Sequence, residues 1–364
     1  MSKKAYMVLA DGSVYEGITF GSENDAYGEV VFNTGMVGYQ EMLTDPSYAG
    51  QIVIPTFPLI GNYGINQDDI ESRKIQVRGF AVREECLRPN HYQSERTVNQ
   101  YLASSNIPGI SGIDTRAITR KLRSVGVMMG VITSSMTPKQ ALESLIKQPA
   151  YGSIDFVREI TTPAPYEWET DNTIEAKYHI VALDCGLKYN ILRLLKNQGC
   201  RVTAVPCTTS AEDVLNLKPD GILMSPGPGD PELLDHIVKT VQQLVYKKPV
   251  MGICLGCQLI SRAFGGKTFK LKFGHRGGNH PVKELATDHV YITAQNHGYA
   301  VDPDSLKDRL VVTHINLNDN TVEGVAHQEL PVFSIQYHSE DSPGPQENRY
   351  LFEKFMEMVR DSKK

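Results

Sequence analysis

Cysteine is scarce in this chain, with six among 364 residues. That excludes a disulfide-built scaffold and leaves each thiol as either a small core residue or a chemical group. Long apolar runs are also missing. None approaches the roughly 20 residues a helix needs to cross a bilayer, so no membrane partner is expected. Lys3 and Lys4 precede an apolar run over 5–10 that stops at Asp11-Gly12, short of a secretory signal, and a cytoplasmic location is expected. There is no excess of positive charge: 37 Lys and Arg stand against 42 Asp and Glu, a net charge of −5. The chain therefore lacks the electrostatic footprint of a nucleic-acid binder. Internal repeats and low-complexity tracts are absent. So are a Gly-x-Gly-x-x-Gly opening a helix after a strand and a Gly-x-x-x-x-Gly-Lys-Ser/Thr loop, which leaves no recognisable nucleotide site.

What is present is an ordinary globular composition, 41% hydrophobic and 22% charged, at a length suited to two or three domains. The first part reads as mixed α/β. Strands are expected at 6–9, 29–32 and 51–55, with a hairpin signal at Asp11-Gly12. The glycine-broken segment 35–50 reads as an ordered loop. Helices are expected over 114–122, with Asp114 as N-cap, and over 138–147, with Thr137 as N-cap and Pro138 in the first position. Around 161–173 periodicity vanishes among Pro163, Pro165, Thr, Glu and Asp. The division that follows is a domain over 1–155, a linker over 156–177 and a second domain over 178–364.

The second domain alternates strand and helix. Strands are expected at 179–183, 201–205, 221–224 and 249–253, and helices over 190–198, 232–246 and 254–264. That order predicts a doubly wound, mostly parallel sheet with helices on both faces, and ligands at the C-terminal strand ends.

Gly252-Ile-Cys-Leu-Gly256 lies between the strand at 250–253 and a helix that would bury Leu255, Leu259, Ile260 and Ala263. A nucleophile on a tight strand-to-helix turn needs small neighbours on both sides. The helix N-terminus favours thiolate and aims backbone N–H groups at a developing oxyanion. Taken alone, the motif fits a buried core cysteine equally well. Cys254 and Cys257 also form a Cys-x-x-Cys, open to a redox reading. A zinc reading would need further ligands, and no second Cys-x-x-Cys exists, so no metal is assigned. Cys185, at a strand end, lies near the expected site.

The segment 332–338 reads as a strand running into that site. His338 and Glu340, two apart, would share one side of an extended chain, so the carboxylate could hold the imidazole in one tautomer. The imidazole could take the Cys254 proton and later protonate a leaving amine.

With Cys254, His338 and Glu340 on an alternating α/β half, the second domain resembles the class I, triad-type glutamine amidotransferases. Their elbow pattern continues through Gln258, and Ser225-Pro-Gly-Pro-Gly-Asp-Pro231 resembles their oxyanion-side loop. Phe32-Asn-Thr-Gly-Met-Val-Gly-Tyr-Gln-Glu41, Thr44-Asp-Pro-Ser-Tyr48, Gly61-Asn-Tyr-Gly-Ile65 and Gly112-Ile-Asp-Thr-Arg116 are similar to the small subunit of carbamoyl-phosphate synthase. So are Phe273-Gly-His-Arg-Gly-Gly-Asn-His-Pro281 and Gln295-Asn-His-Gly-Tyr299. The chain departs from that family's common pattern at Cys257, often His, and at Ser339, often Pro.

The resemblance implies a glutaminase in which Cys254 forms a γ-glutamyl thioester, His338 is base and acid, and Glu340 orients it. Backbone N–H groups of Leu255 and Gly227 would face the oxyanion. L-glutamine would be held by Ser47, Gly227, Gly229, Leu255, Gln258, Asn296, Gly298 and Tyr299. A large subunit would receive ammonia and use ATP, Mg2+ and bicarbonate to make carbamoyl phosphate for arginine or pyrimidine synthesis. This chain would carry no cofactor of its own. The first domain would serve the interface of a small–large heterodimer, which could assemble further. Other readings are a non-catalytic scaffold with the same fold, and a stand-alone γ-glutamyl thiol hydrolase.

Overall fold

The computed structural model describes residues 3–168, 176–306 and 309–364. The chain divides into two compact units, Met1–Ile154 and Asp155–Lys364.

The first unit is built on strands β1 (Lys4–Leu9), β2 (Val14–Gly21), β3 (Ala26–Asn33), β4 (Gln51–Pro55), β6 (Gly79–Ala81), β8 (Pro108–Ser111) and β9 (Met128–Thr133). They close into a barrel in the order β1-β2-β8-β6-β4-β3-β9, and two short strands, β5 (Leu59–Ile60) and β7 (Glu84–Glu85), pair beside it. Closure leaves the barrel no edge strand to protect. Four helices accompany these strands among the described residues: α1 (Tyr39–Thr44), α2 (Val98–Ser104), α3 (Thr115–Val125) and α4 (Pro138–Leu145). Asp114 caps α3 by accepting from Ala117 N at 2.9 Å, and Thr137 forms a capping box with Gln140 at the start of α4.

Two expectations change here. The segment read as a loop over 35–50 contains α1 and a 3-10 turn at Pro46–Tyr48. Gly38 enters α1 at φ 85, a conformation that suits glycine, and Tyr39, Met42 and Leu43 then bury against the barrel core. Six residues are too few for a periodic signal. The linker expected over 156–177 is ordered across its described part: helix α5 (Phe156–Ile160) and strand β10 (Tyr166–Glu167) belong to the second unit. Val157 is fully buried in that unit's core, and Thr162 N donates to Asp184 Oδ2 at 2.7 Å. Burial of Phe156, Val157 and Ile160 holds α5, and hydrogen bonds to Asp184 hold Thr161 and Thr162 after it; a helix of five residues is too short to show a periodic signal. Residues 169–175 of the expected linker lie outside the described residues.

The second unit contains β11 (Tyr178–Asp184), β12 (Cys200–Pro206), β13 (Gly221–Met224), β14 (Val250–Ile253), β15 (Thr268–Glu284), β16 (Val290–Val301), β17 (Leu310–Asn316), β18 (Val322–His327) and β19 (Val332–Ile335). With β10 they form one sheet ordered β10-β12-β11-β13-β14-β19-β18-β17-β15-β16. Strands β12, β11, β13, β14 and β19 run parallel; the others join antiparallel.

The parallel strands are buried on both faces, and their period of two sorts the core into two layers. Ile180, Ala182, Leu223, Met251, Ile253, Phe333 and Ile335 face α6 (Tyr189–Asn197) and α10 (Tyr350–Asp361). Val181, Leu183, Ile222, Met224, Val250 and Val332 face α7 (Ala211–Asn216), α8 (Asp235–Leu244) and α9 (Leu255–Ala263). Each fully buried Leu, Ile or Val contributes roughly 2 kcal/mol relative to exposure. Helices on both faces of a parallel sheet place the loops after β11, β13 and β14 at one edge, where the candidate site lies.

Candidate active site

Cys254 sits at the junction of β14 and α9 with φ 53 and ψ −106, a left-handed backbone for a residue that carries a Cβ. Such a conformation costs on the order of 1–3 kcal/mol and persists because its surroundings enforce it. Here Cys254 N donates to Ile335 O at 2.8 Å, tying the elbow to the neighbouring parallel strand. Gly256 packs so tightly that a Cβ would lie 2.3 Å from Met224 O. The thiol itself is buried, and Sγ lies 3.7 Å from Asn296 O. Leu255, the first residue of α9, has no carbonyl four residues back within the helix to bond, so its N–H is available to a ligand.

The strand expected over 332–338 ends at Ile335. His338 is held beyond it, its N–H donating to Ala294 O at 2.8 Å as an isolated bridge to β16. The chain then turns, with Asp341 N donating to His338 O at 3.2 Å. The pairing expected from extended i and i+2 geometry is thus made across the start of a turn: His338 Nδ1 lies 2.6 Å from Glu340 Oε1, both side chains being buried. The carboxylate accepts from Nδ1, which directs Nε2 to act as the proton carrier. Nε2 is buried without a hydrogen-bond partner, the Cys254 thiol donates to Asn296 O, and that thiol is one of the groups that raise the pKa of the ring.

The electrostatics follow from burial and charge. Burial alone would lower the His338 pKa, but the Glu340 charge, the Cys254 thiol and the hydrogen bond to Glu340 outweigh it and raise it. Burial would raise the Glu340 pKa, and the charges of Lys188 and His338 hold it well below the usual carboxylate range. Lys188 was not visible as a site residue in the sequence. Its ammonium lies 3.0 Å from Glu340 Oε1 and donates to Asp341 O at 2.9 Å, and its side chain is only 3% exposed. Asn190 Nδ2 adds a bond to the Glu340 backbone carbonyl at 2.5 Å. The signal that could have found Lys188 is its position just past the C-terminal end of β11, where this architecture gathers functional groups.

Gly227 lies across from the elbow. A Cβ there would meet Cys185 O at 2.1 Å and Leu255 Cδ2 at 2.6 Å, so only glycine lets these backbones approach. Cys185 is fully buried, with its thiol raised by burial, and its N–H donates to Ser225 Oγ at 2.8 Å. It shapes the site as backbone. Gly229 takes φ 88 in the same loop. Gln258, on α9, donates its side-chain amide to Tyr299 O at 2.9 Å and to Gln336 Oε1 at 3.1 Å. It therefore braces the strand carrying Asn296, Gly298 and Tyr299, all on β16.

Ser47 lies in the first unit, in the turn Pro46–Tyr48. It is buried, its N–H donates to Asp45 Oδ1 at 2.8 Å, and its hydroxyl has no protein partner. Cys257, the other half of the Cys-x-x-Cys, is fully buried among Val301, Leu310, Val322 and Val325, and burial pushes its thiol up to about 12. Among the described residues, no helix is long and apolar enough to cross a membrane.

Comparison with known families gives this geometry a context. Residues 181–358 match the family described as glutamine amidotransferase class-I, which defines the class of the second unit. Residues 7–132 match the carbamoyl-phosphate synthase small chain, CPSase domain. The carbamoyl phosphate synthase small chain of Syntrophotalea carbinolica is 49% identical, covering 99% of both chains. That of Akkermansia muciniphila is 50% identical with the same coverage. The chloroplastic small chain of Oryza sativa subsp. japonica is 48% identical over 99% of this chain and 83% of its own. The chain belongs to the carbamoyl phosphate synthase small chain family.

Proposed function

We propose that this chain is the glutaminase subunit of a carbamoyl phosphate synthase. The observation that carries the proposal is a buried cysteine on a strained strand-to-helix elbow together with a buried imidazole that a buried carboxylate orients. The Cys254 thiol gives its proton to His338 Nε2 and the sulfur attacks the glutamine side-chain carbonyl. The oxyanion of the tetrahedral intermediate is met by the N–H groups of Leu255 and Gly227. His338 then returns the proton to the leaving nitrogen, which departs as ammonia and leaves a γ-glutamyl thioester. Water, deprotonated by the same imidazole, attacks the thioester to release glutamate and restore the thiol. A raised His338 pKa suits both steps, since the ring must hold a proton between them. Gly227, Gly229, Leu255, Gln258, Asn296, Gly298 and Tyr299 would hold the glutamine.

Carbamoyl phosphate requires ATP, Mg2+ and bicarbonate, which are assigned to a large subunit partnered with this chain in the cytoplasm. The product would feed arginine or pyrimidine synthesis. The exposed apolar side chains of Met36 and Val37, in the turn before α1, support giving the first unit to that interface.

Acid-quenched turnover with glutamine labelled in its carbon chain tests the mechanism. A protein-bound label that hydroxylamine releases, present in the unsubstituted subunit and absent in Cys254→Ser, is expected. Turnover without bound label, or label retained in Cys254→Ser, would refute the thioester.

A further inference from the structure

A second buried cluster lies on the antiparallel part of the sheet, between β15, β16 and β18. His275 and His297 are direct cross-strand partners on β15 and β16, and the register slips on both sides of the stretch His275–Gly277. Bulges of this kind re-aim side chains, often beside functional sites. Glu323, on β18, is 0% exposed, and its Oε2 has no hydrogen-bond partner. One ligand-type atom from each of His275, His297 and Glu323 lies within 4.8 Å of the others.

The second nitrogen of each histidine is already engaged. His275 Nε2 lies 2.8 Å from Asp319 Oδ2, and His297 Nδ1 lies 2.8 Å from Tyr299 O. These are acceptors, so each of those nitrogens carries hydrogen. In a neutral ring the remaining atom, His275 Nδ1 or His297 Nε2, then presents a lone pair. At His275, Nδ1 faces the Asn316 side-chain amide at 3.4 Å and Glu323 Oε1 at 3.4 Å, so either a second proton or a metal ion at this nitrogen would answer the carboxylate. At His297, however, Nε2 meets Gln295 Oε1 at 2.9 Å, lone pair against carbonyl oxygen. A neutral imidazole cannot donate to both of its neighbours. A carbonyl or carboxylate behind each histidine is also the usual outer support of a metal-bound imidazole.

We propose that His275 Nδ1, His297 Nε2 and Glu323 bind a divalent transition-metal ion of the zinc class, which fixes the β15–β16 hairpin. Three considerations favour a cation here. His275 Nδ1 and Glu323 Oε1 are 3.4 Å apart, the separation that two bonds of about 2.0–2.1 Å make at a tetrahedral ion. Gln295 Oε1, 2.9 Å from His297 Nε2, is a second acceptor at that ring, which a cation between the two would satisfy. Glu323 is buried and its Oε2 has no hydrogen-bond partner, a charge that a cation answers directly, while Asp319 is half exposed to solvent. Protons compete for the same lone pairs, so binding weakens as pH falls.

The test uses the full chain carrying Cys254→Ala, so that the nucleophile cannot bind metal. Chelator-treated protein is titrated with Co2+ alone and, separately, with Zn2+ alone by calorimetry. One equivalent of each is expected, and Co2+ gives the visible bands of tetrahedral nitrogen and oxygen ligation without a thiolate charge-transfer band. Glu323→Gln weakens binding at least about 100-fold. Asp319→Asn, at a half-exposed carboxylate, weakens it about tenfold. Absent or non-saturating binding would overturn the proposal and leave a closed ion-pair cluster. Binding unchanged by Asp319→Asn, or a cobalt spectrum with thiolate character, would overturn it too, even if Glu323→Gln does not fold. None of these readouts depends on glutamine hydrolysis.

Discussion

Lys188 Nζ and His338 Nδ1 share one acceptor, Glu340 Oε1, at 3.0 and 2.6 Å respectively. The carboxylate that orients the imidazole is therefore itself clamped by a buried cation. The ammonium keeps Glu340 ionised, and it also moderates the pull of Glu340 on His338, whose pKa it lowers.

Removing that cation should move both limbs of the pH profile the same way. In Lys188→Met, Glu340 loses a partner and titrates at higher pH, so the acid limb of kcat/KM rises. His338 faces an unshared carboxylate, so the alkaline limb rises as well. Leaving one charge of a buried pair uncompensated also costs about 3 kcal/mol of stability, read by denaturant unfolding. Lost stability with both limbs unmoved would reduce Lys188 to a packing role.

Gly256→Ala should damage the elbow. The added methyl would sit 2.3 Å from Met224 O, a backbone atom that cannot rotate away. Overpacking of this kind costs about 1–3 kcal/mol. We expect a lowered Tm and a loss of ammonia release greater than tenfold, with KM changed less than kcat. An alanine variant of full activity would show that the junction is looser than described.

Acid should destabilise the second unit through histidines buried in neutral form. Burial lowers His314 to about 4, and it is only 1% exposed. Below its ordinary value of 6.5 the unfolded chain takes up a proton that the folded chain refuses, so stability falls with pH until about 4. The contribution of this one group over that window is about 3 kcal/mol. His314→Gln should flatten the stability curve between those limits, and an unchanged slope would show that His314 titrates freely.

The Cys-x-x-Cys should not act as a switch. Cys257 faces the apolar cluster around Val301 and Val325, and its thiol is kept protonated by burial. Ammonia release from glutamine should be the same with and without reductant once Cys254 is reduced, and Cys257→Ala should remain active. An oxidative loss of activity that reductant reverses, and that Cys257→Ala abolishes, would contradict this.

The parallel strands were legible because each is a short apolar run bounded by turn residues, and strand β13 matches its expected bounds. The elbow motif alone fits a core cysteine equally well, and it was legible as a site only together with His338 and Glu340 two residues apart after a later strand. The long β15–β16 hairpin was not legible: its polar and glycine-rich stretch Phe273–His280 mimics a loop, and register shifts on both sides of His275–Gly277 break the strand alternation. Lys188 is hidden in the sequence for a related reason. A lysine in a turn reads as solvated, and only the fold reveals that Glu340 and Asp341 O surround it. Helix α8 spans Asp235–Leu244 rather than the expected 232–246, because Pro231–Leu233 forms a separate 3-10 turn ahead of it.

The central claim is that ammonia leaves glutamine at Cys254 and nowhere else in the assembled enzyme. It is tested by pairing this chain with a carbamoyl phosphate synthase large subunit and measuring carbamoyl phosphate from glutamine and from free ammonia, for unsubstituted and Cys254→Ala protein. The account predicts that the substitution abolishes synthesis from glutamine and leaves synthesis from ammonia intact. Glutamine-dependent synthesis that survives in Cys254→Ala would contradict it.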